Sequence, residues 1–401
     1  MVRYVPRLAD GQRVKLSWPL ALFRFNHIFW PVDASTSSNW QRLDYGIALI
    51  GCLIFMLHND AELRYLRFHR SNIDTLLTGM PTYVILVEAQ LRTLDILWHR
   101  NQLRHLLQTY FSSIYVDRDA EPQLFRQIEL KMLPNRVVAS LYLIAVSGYM
   151  IAPIVMLITG QKDYVFPMIT PFNAQPLYVF VPLVLSSVWV ALSIDTMAFG
   201  ETTLLCELVA HLKGRYVLLQ RDMESSIDLI LAARRRPHMA QQLRELLVQT
   251  LHRNVALNRF GEQLEEHFSA RIFIMFACSA ILLCALGFKT YVSPTGTYIY
   301  PMWFGAKTME LLSLGQLGSE LAYMTDSLST MYYQSNWEQV LYYSTNPHEN
   351  LRLLKVVVIA IEMNCKPYYM MGLKYFRVSL QAVLKILQGA FSYFTFLTSI
   401  R

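Results

Sequence analysis

Two charge-free runs in the middle of the chain restrict its fold more than any other feature. Residues 137–161 are 25 consecutive residues without Asp, Glu, Lys or Arg, and residues 164–194 are 31 more. A helix needs about 20 apolar residues to cross the hydrocarbon core of a bilayer. Four prolines, at 167, 171, 176 and 182, lie in the second run, three of them in its first half. We therefore predict two spanning helices joined by a Pro-rich outer loop, the second helix beginning near residue 177.

The composition of the whole chain agrees with a bilayer environment. Of its 401 residues, 54% are hydrophobic and only 16% are charged, and the mean hydropathy is +0.28. Average soluble domains carry roughly a quarter charged residues. The net charge of +7 is explained by the Lys and Arg that membrane proteins keep in cytoplasmic loops, so nucleic acid is not an expected partner. The five scattered cysteines form no CxxC pair, and we expect free thiols.

Further apolar stretches bring the predicted number of spans to seven. The weaker candidates carry internal polar residues, as helices that face protein or water do. The predicted spans are 45–57, 75–87, 137–161, about 177–194, 272–288, 300 to about 323, and 378–400. The predicted fold class is an all-α membrane protein with seven transmembrane helices and a cytosolic helical anchor domain.

The distribution of basic residues predicts the orientation of the chain. No signal peptide is visible at its beginning, so the N-terminus is expected in the cytosol. The inner segments 1–41, 99–135, 201–267 and 326–376 hold 23 Lys and Arg residues. The Lys and Arg residues counted outside are Arg64, Arg67, Arg70, Lys162 and Arg401. Because basic loops stay in the cytosol, we expect an extracellular C-terminus, the reverse of a G-protein-coupled receptor.

Two of the inner segments predict the cytosolic helices. Residues 201–267 are amphipathic and charged, and RRRP at 234–237 has the composition of a solvated turn between two helices. VVVIAI at 356–361 is strongly apolar but too short to cross a bilayer, so we expect a buried cytosolic helix that could be shared between subunits. The predicted regions are 1–41 (cytosolic N-terminal segment), 42–200 (spans one to four), 201–267 (cytosolic helical extension), 268–325 (spans five and six), 326–376 (cytosolic anchor) and 377–401 (last helix).

A regular stripe of polar residues runs along the last predicted span. Its members recur at steps of 4, 3, 4, 3 and 4 residues, which keeps them on one face of a helix for five turns. They are Gln381, Lys385, Gln388, Ser392, Thr395 and Ser399. Periodicity alone leaves two interpretations open. The stripe is either a hydrogen-bonded seam between helices or the wall of a water-filled pore, which the bulky neighbours Phe396 and Leu397 would close by excluding water.

The end of the chain resembles the C-terminal signature of insect chemoreceptors, which is Thr-Tyr, five apolar residues and Gln-Phe. SYFTFLTSI at 392–400 has this layout, with Tyr393 identical and Ser399 at the place of the Gln. The seven spans, the long inner loops and IFWP at 28–31 before the first span add to the likeness. The chain as a whole resembles the insect odorant receptors.

The resemblance implies a tetrameric, odour-gated, nonselective cation channel in the plasma membrane of olfactory sensory neurons, with the last helix lining the pore. The implied pore-lining residues are Gln388, Ser392, Thr395, Phe396 and Ser399. Phe396 is larger than the aliphatic residue expected at the gate of the shared co-receptor, and 201–267 lacks the long insertion typical of that co-receptor. We therefore expect an odour-tuned subunit that assembles with the co-receptor.

The ligand pocket of that family lies in the outer half of the bundle, among the second, third, fourth and sixth spans. Volatile ligands are small and mostly apolar, so their pocket should be aromatic-lined with few polar groups. The residues expected at that depth are Tyr83, Val87, Ser147, Met150, Phe180, Val184 and Phe304. The hydroxyl groups of Tyr83 and Ser147 could each donate one hydrogen bond, which favours an oxygenated or indole-like ligand over an alkane.

Motifs of other function classes are missing from the sequence. It contains no Walker loop, GxGxxG, HExxH or nucleophile elbow, so neither an enzyme nor a cofactor is expected. Glu88 and Arg92 have the spacing of an ordinary helical ion pair, and His252 and His267 lack metal-ligand spacing. Two alternatives stay open: a gustatory receptor of the same superfamily, and a transporter, although no internal repeat of the transporter kind is visible.

Overall fold

A computed structural model describes residues 3–26, 28–33, 36–159, 162, 164–233, 238–292 and 298–400. The α-helices in these ranges are α1 (Trp18–Phe25), α2 (Ser38–Phe68), α3 (Ile73–Trp98), α4 (Arg100–Thr109), α5 (Pro122–Lys131), α6 (Leu133–Ile158), α7 (Leu177–Ala233), α8 (Met239–Val292), α9 (Ile299–Tyr333), α10 (Trp337–Tyr343), α11 (Pro347–Met363) and α12 (Leu380–Ile400). A π-helical turn, Tyr110–Ile114, follows α4. The short strands β1 (Met371–Gly372) and β2 (Phe376–Arg377) pair antiparallel just before α12.

Seven of these helices coincide with the seven predicted spans. They are, in order, α2, α3, α6, α7, α8, α9 and α12. Within the described part of the chain, three helices are apolar and long enough to cross a membrane by length and composition alone: Ser38–Phe68, Leu177–Ala233 and Met239–Tyr291. The predicted fold class of a helical membrane protein is confirmed.

Helices α7 and α8 are far longer than a bilayer requires. They have 57 and 54 residues, which at a rise of 1.5 Å per residue corresponds to roughly 80–85 Å each, against a hydrocarbon core of about 30 Å. Their adjoining halves form the predicted extension 201–267. Both limits of that extension fall inside continuous helices, so it is not a separate folding unit. The predicted turn at 234–237 lies outside the described residues.

A buried histidine fastens the segment after α4 to α7 in this extension. The backbone N–H of Val116 donates a hydrogen bond to Nδ1 of His211 at 3.0 Å, and Arg215 donates to the carbonyl oxygens of Ile114 and Tyr115. Burial, together with the nearby Arg215, lowers the pKa of His211 to about 3. The imidazole is therefore neutral and acts as a hydrogen-bond acceptor.

The N-terminal segment is packed against the bundle rather than loose. Ile28, Phe29 and Trp30 of the IFWP motif are completely buried, because the indole N–H of Trp30 donates to the carbonyl oxygen of Tyr4 at 2.9 Å and Arg100 donates to the carbonyl oxygen of Trp30 at 2.8 Å. Helix α1 packs on α7. These contacts connect the beginning of the chain to α4 and α7.

Helix α12 packs on α8 and α9 through one face only. Val383 and Ala390 are buried on that face. A Cβ atom at Gly318 of α9 would collide with the carbonyl oxygen of Val378, so a glycine is needed where the chain entering α12 approaches α9. Close backbone approach, rather than a large apolar interface, positions the base of the last helix.

The apolar stretch 356–361 lies in α11, which has a packed side and an open side. Leu353, Val357 and Ala360 are buried, and the helix packs on α8 and α9. Val358 and Ile359 are 59% and 49% exposed. The predicted burial is confirmed for one face, whereas Val358 and Ile359 on the other face are uncovered in a single chain.

Candidate functional site

A small cavity lies between α3, α6, α7 and α9. Its volume is about 50 Å³. Side chains spaced three or four residues apart on α6 and on α7 reach it, as expected of one face of a helix, and the loop between α6 and α7 contributes one further side chain. The lining residues are Thr82, Ile85, Tyr142, Ala145, Val146, Tyr149, Phe166, Ala191, Ile194, Asp195, Ala198 and Trp303.

The wall of this cavity is mostly apolar and carries few polar groups. The rings of Tyr149 and Trp303 meet edge to face, with centroids 6.1 Å apart. The hydroxyl of Tyr142 donates a hydrogen bond to Glu310 at 2.7 Å, and that of Thr82 donates to the carbonyl oxygen of Gly79 at 3.0 Å. Aromatic walls with a few placed polar groups are typical of small-molecule sites. A cavity of about 150 Å³ accommodates benzene, so a ligand of that size requires wall side chains to move.

The predicted pocket residues lie on the helices that form this cavity but do not reach it. The seven residues are Tyr83, Val87, Ser147, Met150, Phe180, Val184 and Phe304. All seven belong to the described part of the chain, and none of them lines the cavity. Helix α3 contributes Thr82 and Ile85 instead, and α9 contributes Trp303 rather than Phe304. These helices are apolar on most of their circumference, so the sequence indicated no unique inner face. The role of the seven in ligand binding stays a prediction.

A cluster of buried charges connects four helices, α3, α7, α8 and α9. The charged members of this cluster are Glu88, Arg92, Asp95, Glu201, Arg271, Lys307 and Glu310. Arg92 lies 2.7 Å from both Glu88 and Glu201, so the predicted pair within α3 is confirmed as one part of a larger arrangement. Arg271 of α8 lies 2.7 Å from Glu201 and 2.9 Å from Asp95. All members except Asp95 are buried.

The charge cluster reaches the cavity through Tyr142. Lys307 lies 3.2 Å from both Glu88 and Glu310. Glu310 in turn accepts hydrogen bonds from Tyr142 at 2.7 Å and from Thr202 at 2.6 Å. Charges can be buried at this depth because each has an opposite charge and further hydrogen bonds to offset its desolvation. The wall of the cavity is thereby joined to α7 and α8, the two longest helices of the described chain.

A second, larger cleft of about 600 Å³ lies in the extension, between α7, α8 and the π-helical turn. Its wall includes Arg215, Arg253, Arg259 and Asp222. A volatile apolar ligand would displace water from these charged groups without replacing their hydrogen bonds, which is unfavourable. Among the described residues, no group of three or more His, Cys, Asp or Glu side chains could hold a metal ion. The apolar cavity is therefore the candidate ligand site.

The predicted polar stripe of α12 faces away from the rest of the chain. All six of its members are exposed, as is Phe396 at 60%, whereas Val383 and Ala390 on the opposite face are buried. The hydroxyl groups of its serines and threonine donate only to carbonyl oxygens of their own helix, at 2.8–3.0 Å. The interpretation as a seam with another helix of the same chain is therefore wrong. The role of the stripe in a pore stays a prediction, and the side chain of Leu397 lies outside the described residues.

Fold and site together define the class of this protein. It is a polytopic helical membrane protein with an apolar, aromatic cavity inside its bundle, and the chemistry of that cavity suits a small apolar molecule. The particular family within this class follows from comparison with known proteins.

A sequence model described as 7tm Odorant receptor matches residues 72–391. Odorant receptor 35a of Drosophila melanogaster is 61% identical over 403 residues, which cover 100% of this chain and 98% of that protein. Odorant receptor 74a of the same species is 44% identical over 400 residues, covering 100% of this chain and 99% of that protein. The chain belongs to the 7tm odorant receptor family.

Solved structures agree with this fold. The insect olfactory receptor OR5 from Machilis hrabei, alone and in complex with eugenol, matches with a TM-score of 0.75 at 12% identity, covering 96% of this chain and 97% of that chain. At such low identity the likeness shows the fold alone. The family is one of odorant receptors rather than enzymes, and it favours an odorant receptor over the gustatory receptor and the transporter.

Proposed function

We propose that this chain is the odour-tuned subunit of a tetrameric, nonselective cation channel that assembles with the odorant co-receptor in the plasma membrane of olfactory sensory neurons. A small volatile ligand binds in the cavity between α3, α6, α7 and α9. Binding opens a pore lined by α12. The N-terminus lies in the cytosol and the C-terminus outside.

The observation that carries the proposal is the outward-facing polar stripe of α12. Polar side chains are costly in hydrocarbon and turn toward water or protein, and this stripe has no partner helix within its own chain. A water-filled path between subunits satisfies it. The proposed pore-lining residues are Gln388, Ser392, Thr395, Phe396 and Ser399. The exposed ring of Phe396 is large enough to close a narrow pore by excluding water.

The open side of α11 supports assembly with other subunits. Val358 and Ile359 expose apolar side chains on a helix outside the bilayer, and contiguous apolar surface outside the bilayer marks an interaction site. In the proposed channel, the extension 201–267 and the anchor 326–376 hold the subunits together, while the last helix, 377–401, lines the pore.

Two sets of residues are candidates for the ligand-binding site. The first set is the cavity wall, which includes Tyr149 and Trp303. The second is the set predicted from the sequence, in which Tyr83 and Ser147 are hydrogen-bond donors. In the proposed site, Trp303→Ala shifts the odorant dose–response curve by about tenfold or more, because truncating a large aromatic contact removes more than about 1.4 kcal/mol. Tyr83→Phe and Ser147→Ala leave the curve unchanged. If Tyr83→Phe or Ser147→Ala shifts the curve and Trp303→Ala does not, the ligand binds at the residues predicted from the sequence instead.

Expression in oocytes, with and without the co-receptor, tests the channel itself. An odour panel is applied to the pair, and current is expected only when both subunits are present. Cysteines are then introduced at Ser392 and Thr395 in a Cys365→Ser background, since Cys365 is the exposed native thiol among the described residues. A charged thiol reagent applied during stimulation should change the current in both variants but not in Ala390→Cys, which lies on the packed face. Modification of none of these positions would disprove the pore.

A further inference from the structure

Asp195 is a buried carboxyl group without a compensating partner. It lies on α7, on the wall of the cavity, and it is 6% exposed. Its Oδ2 atom is buried and has no hydrogen-bond partner among the described residues. A buried polar group without a hydrogen bond costs about 1–3 kcal/mol, so this side chain is expected to have a reason to be there.

Two other polar groups of the wall already donate their hydrogens within the chain. The hydroxyl hydrogen of Tyr142 is donated to Glu310 and that of Thr82 to Gly79. The residues that precede and follow Asp195 along the same face of α7, Ile194 and Ala198, are apolar. The carboxyl group of Asp195 and the hydroxyl of Tyr149, which also has no hydrogen-bond partner among the described residues, are thus the polar groups of the wall left for a ligand. A molecule in the cavity lies within reach of Asp195.

We propose that Asp195 determines ligand specificity by accepting a hydrogen bond from an O–H or N–H group on a small, otherwise apolar ligand. This inference rests on the proposed function of the cavity and names the chemical class it takes. An alcohol or an amine satisfies the carboxyl group while its hydrocarbon part contacts the aromatic wall. A methyl ether of the same shape offers no hydrogen to Oδ2 and leaves that acceptor unpaired, and sites with unpaired buried polar groups reject such analogues strongly.

The experiment compares straight-chain primary alcohols, primary amines and methyl ethers of equal chain length. Their binding to the detergent-solubilised receptor is measured by the shift in melting temperature, which requires no current. The alcohol or the amine should bind about tenfold or more tightly than the ether, since the hydrogen bond is worth at least about 1.4 kcal/mol at a buried site. Equal affinity of all three classes would overturn the inference.

Variants at Asp195 separate the outcomes. Asp195→Val should abolish the preference over the ether without lowering the melting temperature of the unliganded receptor, because no internal partner is lost. Asp195→Asn keeps an acceptor oxygen but cannot become a carboxylate, so it should retain alcohols and weaken a protonated amine, which tells the two sources apart. The control is Ser193→Ala, buried on the same helix but away from the wall. A preference that persists in Asp195→Val contradicts the inference. If the binding preference is observed but no odour evokes a current, the proposed channel function is contradicted and the role of Asp195 is not.

Discussion

Polar side chains are arranged in opposite ways in two regions of this receptor. In the charge cluster, residues from α3, α7, α8 and α9 pair with one another inside a single chain. Along α12, six polar residues face outward, and their hydroxyl groups bond only to their own helix. Both arrangements avoid hydrocarbon, but the first is complete within one subunit and the second is not.

The difference separates residues that hold the fold from residues that, in the proposed channel, serve the assembly. Paired buried charges cannot be changed singly without leaving a charge uncompensated, so the cluster fixes the relative positions of four helices. The stripe contributes little to the fold of its own chain. Its residues are therefore free to be selected for what passes along them or packs against them. Substitutions in the two regions should accordingly affect different measurements.

The largest effect is expected in the charge cluster. Arg92→Ala removes one of the two partners of Glu88 and one of the two partners of Glu201 at a 2% exposed position. It should destabilise the fold by about 3–5 kcal/mol, as breaking a buried pair does. Melting of the solubilised receptor and surface labelling in cells measure this loss. The matched control is Arg64→Ala, which breaks the exposed pair with Asp60 on α2 and should leave both measurements unchanged. If Arg92→Ala has the melting temperature of the wild type, the charge cluster does not stabilise the packing of the four helices.

A smaller effect is expected at His211, a buried polar group that is also satisfied within the chain. His211→Ala removes the acceptor of the Val116 N–H and should cost about 1–3 kcal/mol, the range for a buried donor left unpaired.

The same histidine predicts a dependence on pH. Its pKa is about 3 in the folded protein because of burial and Arg215, against about 6.5 when unfolded, so acid favours the unfolded state. Its contribution to stability is present above about pH 6.5 and is lost as the pH falls toward 3, at up to about 1.4 kcal/mol per unit. The melting temperature of His211→Gln, which keeps an acceptor oxygen, should fall less steeply with acid than that of the wild type. If the melting temperatures of the two proteins fall equally with acid, protonation of His211 does not cause the loss of stability.

The smallest effect on stability is expected along the stripe. Ser392→Ala, Thr395→Ala and Ser399→Ala delete hydroxyl groups that have no partner outside α12 and should change the free energy of unfolding by less than about 0.5 kcal/mol, as exposed substitutions do. Their conductance with the co-receptor should nevertheless differ from that of the wild type. A loss of melting stability as large as that of Arg92→Ala would contradict the contrast between the two regions.

The spans, but not their faces, were predictable from the sequence. Residues 137–161 are apolar throughout, which predicts a helix in a bilayer without indicating which side meets α7 and α9. At 83 and 87 the prediction selected neighbours of the residues that reach the cavity, because both flanks of α3 are apolar. Asp195 gave the one available signal. It is the first charge after 31 residues without one, at a depth where a carboxyl group needs an explanation. In the sequence it was treated only as the end of a span.

The sequence alone determined the number of helices crossing the bilayer and the periodic stripe of the last one, because both depend on local properties: continuous apolar length and a repeat of three and four residues. Only the tertiary structure decided that Glu88, Glu201, Arg271 and Lys307 meet, although up to 219 positions of the chain separate them. It also decided which helix faces enclose the cavity. Burial and charge pairing are properties of helices packed together, and no local pattern specifies the partner.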